Sequence, residues 1–181
     1  LHSINIEASD YAYNLANWIY KWIITQTLPD NGCASGQGVI FTKEVSEDMW
    51  VEDVDLGMVI AHEARGDLKV TLKGPLDNAP IKLIASSSDT NPSYNILIDD
   101  ASTDPIDNDR RDDPVPPFFK RVVGPIMDGR LDAYNNTNAK GTWQVFICDS
   151  NPGVSGAVYG VDLRLTLTTD QPQVYLPLVN R

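Results

Sequence analysis

The sequence is short of the residues that usually carry chemistry. Among 181 residues there are two histidines and two cysteines. His2 sits near the terminus, and His62 closes an apolar run. A serine nucleophile needs a base that is itself held by an orienting partner. His62 is the one candidate base, and no serine stands in a Gly-x-Ser-x-Gly elbow. A histidine at a strand end more often bonds the backbone, and His62 is read that way. Phosphate-cradling loops, Cys-x-x-Cys pairs and histidine-rich zinc patterns are missing too. Cys33 and Cys148 lie far apart and form no metal-type spacing. In an exported protein they would pair; in the cytosol they would stay thiols.

Positive charge is also scarce. Fourteen Lys and Arg face 25 Asp and Glu, a formal net charge of −11. That balance excludes nucleic acid and anionic membrane surfaces as expected partners, since both need cations on the protein. It suits solubility or the binding of hard cations. No apolar run approaches the roughly 20 residues of a membrane-spanning helix, so no membrane insertion is expected. No signal peptide is visible, and the first residue is Leu1 rather than Met, which suggests a processed or truncated product.

What is present is strand grammar. Short apolar runs separated by Gly, Pro, Asn and Asp predict strands at Gly38–Val45, Val51–His62, Asp67–Lys73, Ile81–Ser86, Tyr94–Ile98, Thr142–Cys148 and Val158–Thr168. In the last, Val161, Leu163, Leu165 and Leu167 alternate with Asp162, Arg164 and Thr166, giving one dry and one wet face. Seven such runs without intervening amphipathic helices indicate an all-β antiparallel sandwich or barrel. The N-terminal part reads differently. Tyr11, Leu15, Trp18, Ile19, Trp22 and Ile23 recur at steps of three and four, which predicts a helix over Ser9–Thr25. The alternative is a strand over Trp18–Thr27, because Trp, Ile, Tyr and Thr favour sheets.

Two long breaks interrupt the strands. Asp99–Pro117 holds seven acidic residues, two arginines and four prolines; Val122–Lys140 is mixed and Asn-rich. Loops of this length are usually functional or metal-ordered. Calcium takes six to eight oxygens and suits flexible Asp-rich loops. The candidate ligands are Asp99, Asp100, Asp104, Asp107 and Asp109, although their spacing is not that of an EF-hand. The competing reading is a solvated loop neutralised in part by Arg110 and Arg111. Arg65-Gly66-Asp67 spells an integrin-binding tripeptide, but between two strands it is read as a turn. Asn135-Asn136-Thr137 is a glycosylation sequon, meaningful in a eukaryotic secretory host.

Taken together, several stretches resemble one family. They are Leu28-Pro29-Asp30-Asn31-Gly32, Val54-Asp55-Leu56 through Ile60-Ala61-His62, and Arg65-Gly66-Asp67 through Lys73-Gly74-Pro75. Ile98-Asp99-Asp100-Ala101, Leu131-Asp132-Ala133-Tyr134-Asn135 and Asn138-Ala139-Lys140-Gly141-Thr142-Trp143 follow in order. Asp149, Gly153, Gly156 and Leu163 to Leu167 complete the set. This series resembles the P domain, or Homo B domain, which follows the catalytic domain of kexin- and furin-like subtilases and of many secreted bacterial proteases. The resemblance departs at Val161, where the family usually has Trp, and in the charged insertion Asp104–Pro114.

The resemblance implies an antiparallel jelly roll of about eight strands over residues 27–168. Residues 1–26 would be a helical or extended appendage, and 169–181 a linker with an apolar tail. It implies a non-catalytic, secreted or cell-surface role, and the ending Tyr-Leu-Pro-Leu-Val, which resembles the tails of some bacterial exported proteins, points to a bacterium. The partner would be a subtilisin-like protease domain, in cis or in trans, whose calcium and pH dependence the module tunes. The alternative is a stand-alone module binding an extracellular protein or glycan. Export implies a Cys33–Cys148 disulfide, and the strand around Trp143 together with Leu163 and Leu165 would form the core.

Overall fold

The computed structural model describes residues 6–11, 15–23, 25–75, 80–106, 111–119, 121–124 and 130–170. They form eleven strands: β1 Ile6–Tyr11, β2 Leu15–Trp22, β3 Gln26–Leu28, β4 Val39–Val45, β5 Trp50–Ala61, β6 Leu68–Lys73, β7 Ile81–Ile84, β8 Tyr94–Ile98, β9 Arg121–Val123, β10 Gly141–Asp149 and β11 Gly156–Thr168. One helical turn, α1 (Gly32–Ser35), follows β3. The seven-stranded sheet runs β1-β2-β11-β5-β8-β9, with β3 pairing the start of β11; the four-stranded sheet runs β4-β10-β6-β7. All pairs are antiparallel except β8 with β9. The chain is an all-β two-sheet sandwich, with more strands than the eight expected.

The core lies where the two sheets face each other. Leu56, Met58, Ile60, Leu163 and Leu165 come from the large sheet; Val70, Leu72, Trp143, Val145 and Ile147 come from the small one, all 1% exposed or less. Burying a side chain of this size contributes roughly 1.5–3 kcal/mol. Trp143 is seated by polar contacts as well as packing. Its Nε1 donates to the carbonyl of Ala139 at 2.9 Å, and its ring meets Tyr134 at 5.0 Å. The Tyr134 hydroxyl donates to Leu72 O at 2.9 Å and accepts from Gly74 N at 3.0 Å. A Cβ at Gly74 would sit 2.6 Å from the Tyr134 ring, so only glycine lets these groups close. Cys33 and Cys148 are joined as a disulfide with Cα atoms 5.1 Å apart, which pins α1 to β10.

The helix expected over Ser9–Thr25 does not form. Leu15–Trp22 is a strand in full register with β11, from Leu15↔Thr168 to Trp22↔Val161. Trp18 and Trp22 pack against the core around buried Tyr20. The same aromatics satisfy period two (18, 20, 22) and period four (18, 22), so the pattern alone is ambiguous. The long edge of β11 decides it, because its backbone groups need a partner. These residues therefore belong to the sandwich rather than to an appendage. Trp22 lies opposite Val161 and meets Phe41 at 5.6 Å, so an aromatic from β2 supplies bulk beside Val161.

Candidate functional site

The acidic break is not a free loop. Residues 111–119 form a strap across the outer face of the seven-stranded sheet. Asn95, in the middle of apolar β8 and fully buried, is its fastener. Its Nδ2 donates to the carbonyls of Asp113, Val115 and Pro117 at 3.0, 3.1 and 3.3 Å, and its Oδ1 accepts from Phe119 N at 2.5 Å. A buried amide must find such partners or lose their full desolvation cost. Phe119 rests on β5 at Gly57, where an added Cβ would lie 2.8 Å from the ring. Arg164 of β11 covers the same ring at 5.6 Å.

Charge fixes the other end of the strap. Asp112, 6% exposed, takes Arg121 in bidentate fashion, Nε at 2.8 Å and Nη2 at 2.7 Å. Arg65 Nη1 stands 3.5 Å from the same carboxylate, and Arg65 Nε donates to Asp89 at 2.6 Å. The Arg65 guanidinium also lies over the Tyr94 ring at 5.2 Å. Burial holds the Tyr94 phenol far above its ordinary value; desolvation works against the Asp89 carboxylate, but the Asn91 backbone hydrogen bond, then those of Arg65 and the Asn91 side chain, lower its carboxyl overall. Arg65 and Gly66 are buried, so the Arg-Gly-Asp tripeptide is a structural turn and not a displayed ligand.

Three of the five proposed calcium ligands lie within the described residues. Asp99 Oδ1 accepts from Ala101 N at 2.7 Å and closes a turn, whereas Asp100 Oδ2 accepts from Asp132 N at 2.6 Å and ties the end of β8 to the segment Leu131–Tyr134. Asp104 joins through its backbone, its carbonyl accepting from Gly124 N at 2.9 Å. Asp107 and Asp109 lie outside the described residues. Among the described residues no three acidic, histidine or cysteine side chains gather as a metal centre. Asp99 and Asp100 do approach Asp53 and Asp55 on β5. Desolvation, then Asp53 and Asp99, pushes the Asp55 carboxyl up to about 7, although Arg164 pulls it down. Asp53 is raised as well, by desolvation and by Asp99 and Asp100. Asp55 Oδ1 and Asp100 Oδ1 are buried without a hydrogen-bond partner.

His62 is committed to structure. Its Nε2 stands 3.3 Å from Asp149 Oδ2, with both side chains fully buried. Its Nδ1 stands 2.8 Å from Ala64 O and 3.2 Å from Ala64 N. Both ring nitrogens are therefore occupied, and Ser93 Oγ reaches the His62 backbone N (3.4 Å) rather than the ring. A general base needs a nitrogen facing the proton it takes. In the sequon, Asn135 Oδ1 is buried without a partner.

Sequence reasoning missed Asn95, Arg65, Arg121 and Gly57. Two left a signal: an Asn inside Tyr-Asn-Ile-Leu-Ile and a Gly inside the longest apolar run are both anomalies in a strand interior. The ion partners left none, because Arg65 and Asp112 are 47 positions apart.

The model of the proprotein convertase P-domain matches residues 51–165. The chain belongs to that family. The match opens in β5 and ends in β11, the two longest strands. The P domain is the non-catalytic module that accompanies subtilisin-like proteases, so this chain is a proteolysis-associated domain by family. Among solved structures it is similar to the serine protease of Aeromonas sobria in complex with its chaperone, at 15% identity and a TM-score of 0.54, over 85% of this chain. It is similar also to that serine protease solved by itself, at 15% identity and a TM-score of 0.52, over 84%. The likeness covers 27% of each of those chains. At this identity it shows a shared fold. No curated protein matches the chain.

Proposed function

We propose that this P domain is exported and acts beside a subtilisin-like serine protease domain, in the same chain or a separate one, stabilising and regulating it without catalysing the reaction. The observation that carries this reading is the family match through residues 51–165. The fold's likeness to about a quarter of a serine protease chain supports it. The disulfide fits an oxidising compartment. The test is to produce a subtilisin-like protease domain with and without this domain. The two should copurify, and the protease should inactivate more slowly on heating when the P domain is present. Absence of both effects sinks the regulatory role.

Calcium belongs to the same proposal on donor chemistry alone, since the charges of Asp99 and Asp100 add to the desolvation that raises the Asp53 and Asp55 carboxyls. An ion that binds only the native state raises its melting temperature. Chelation should then lower the melting temperature. An unchanged melting curve, with no metal by elemental analysis, removes calcium from the account.

A further inference from the structure

The outer face of the four-stranded sheet is built differently from the rest of this acidic molecule. β6 turns Lys69, Thr71 and Lys73 outward, and β7 places Lys82 opposite Thr71. Lys69 and Lys73 are four residues apart on one strand, about 13 Å, with Lys82 beside the midpoint. On β10, Gln144 and Phe146 pair with Lys73 and Thr71. Glu44, bonded to Thr142 at 2.6 Å, is the one acidic group among the outward strand residues of the described face. None of the three lysine ammonium groups has an ion pair or hydrogen bond among the described residues. A hollow of about 300 Å³ opens beside Lys69 and Lys82, lined also by Thr71, Ile84, Ala85 and Ser86; Lys73 lies outside it.

A chain of net charge −11 has few cations to place. Three unpaired ones on one flat face are therefore informative. A lysine on an edge strand can serve simply to block edge pairing, which would account for Lys82 on β7. It does not account for Lys69 and Lys73, since β6 lies between β10 and β7.

We propose that this face binds an acidic polysaccharide, with the ammonium groups of Lys69, Lys73 and Lys82 meeting carboxylates along the polymer. Hydroxyls of Thr71 and Ser86 beside the hollow suit sugar hydroxyls, and the half-buried Phe146 ring offers an apolar surface for a pyranose face. A protein partner fits less well. Lysine is depleted at protein interfaces, which favour Tyr, Trp, Met and Arg, and the outward strand residues here include none of those four. Single-stranded nucleic acid fits poorly because it stacks successive bases on several aromatics, and this face has one.

The test is electrophoresis of the full chain in gels containing polygalacturonate, at low and moderate salt. The protein should be retarded, and retardation should weaken as salt screens the contacts. K69Q/K73Q/K82Q should lose affinity at least about tenfold with an unchanged melting temperature, while Lys140→Gln should bind like the parent. The uncharged polymer dextran should not retard it. No retardation, equal retardation by dextran, or full affinity in the triple variant would each overturn the proposal. Tighter binding to poly-glutamate than to polygalacturonate would overturn it in favour of an acidic protein. Loss of this site leaves the protease-associated reading untouched, because none of its evidence lies on these lysines.

Discussion

The outer face of the seven-stranded sheet carries Asp53, Asp55, Asp162 and Arg164 and lies partly under a strap; the outer face of the four-stranded sheet carries Lys69, Lys73 and Lys82, and the described strap residues do not cross it. On the first face charge is absorbed into structure. Asp112 comes back over the sheet to meet Arg121 and Arg65, and a loop that reads as solvated becomes packed. On the second face charge is left in water. An acidic composition therefore does not describe this surface; it averages a face that uses carboxylates internally with one that presents ammonium groups. The difference also predicts where mutation is felt. Side chains over the large sheet are structural, whereas the lysines of the small sheet should change stability by less than about 0.5 kcal/mol.

The largest effect belongs to the one covalent tie on the open face. Cys148 is on β10 opposite Lys69, and its bond to Cys33 closes a loop of 115 residues. In the chain-entropy model a loop of that length is worth roughly 4–5 kcal/mol. Cys33→Ser with Cys148→Ser should lower the urea midpoint accordingly, and the native chain should show no free thiol when denatured without reductant. A double variant as stable as the parent would mean that packing of α1, not the bond, secures that face.

Next comes the ion network under the strap. Arg65→Met removes one cation from beside Asp89 and Asp112, leaving Asp112 to Arg121. Breaking a buried pair from one side costs about 3–5 kcal/mol. Asn95→Ala strands the strap carbonyls it bonds and should cost about 2–3 kcal/mol. Both should speed proteolysis within 111–119. If either leaves the denaturant midpoint within about 0.5 kcal/mol of the parent, the strap is decoration rather than structure.

The strands of both sheets were readable because one-sided burial writes itself as alternation. Tyr94–Ile98 was bounded to the residue and Ile81–Ile84 to within two at its end. β2 reads as helix because Trp18 and Trp22 fit both periods, and its neighbour β11 decides between them. β9 is three residues long and pairs in parallel with β8, too short to carry a pattern. The strap was invisible for another reason. Arg110 and Arg111, beside its acids in sequence, suggest local neutralisation in a solvated loop, yet the described partners of Asp112 are Arg65 and Arg121. Local charge counts cannot see a counter-ion delivered by another strand.

A smaller effect than these is the most discriminating for the acidic face. Asp55 has one carboxylate oxygen buried without a partner, and its carboxyl is pushed up to about 7 by desolvation and then by Asp53 and Asp99. In the unfolded chain the same group titrates near its ordinary value of roughly 3.9. Between those two values the native state holds a proton that the unfolded state has released. Stability therefore falls as pH rises from about 4 to about 7, and the penalty is complete above 7. Asp55→Asn removes the ionisation and should stabilise the domain at pH 8 by about 1 kcal/mol once solvent screening is allowed for. Near pH 4 the two proteins should unfold alike. Denaturant midpoints at both pH values check this. An equal gain at both would assign the effect to shape rather than charge. A loss at pH 8 that disappears on chelation would mean that a cation, not a proton, relieves the repulsion among Asp53, Asp55 and Asp99.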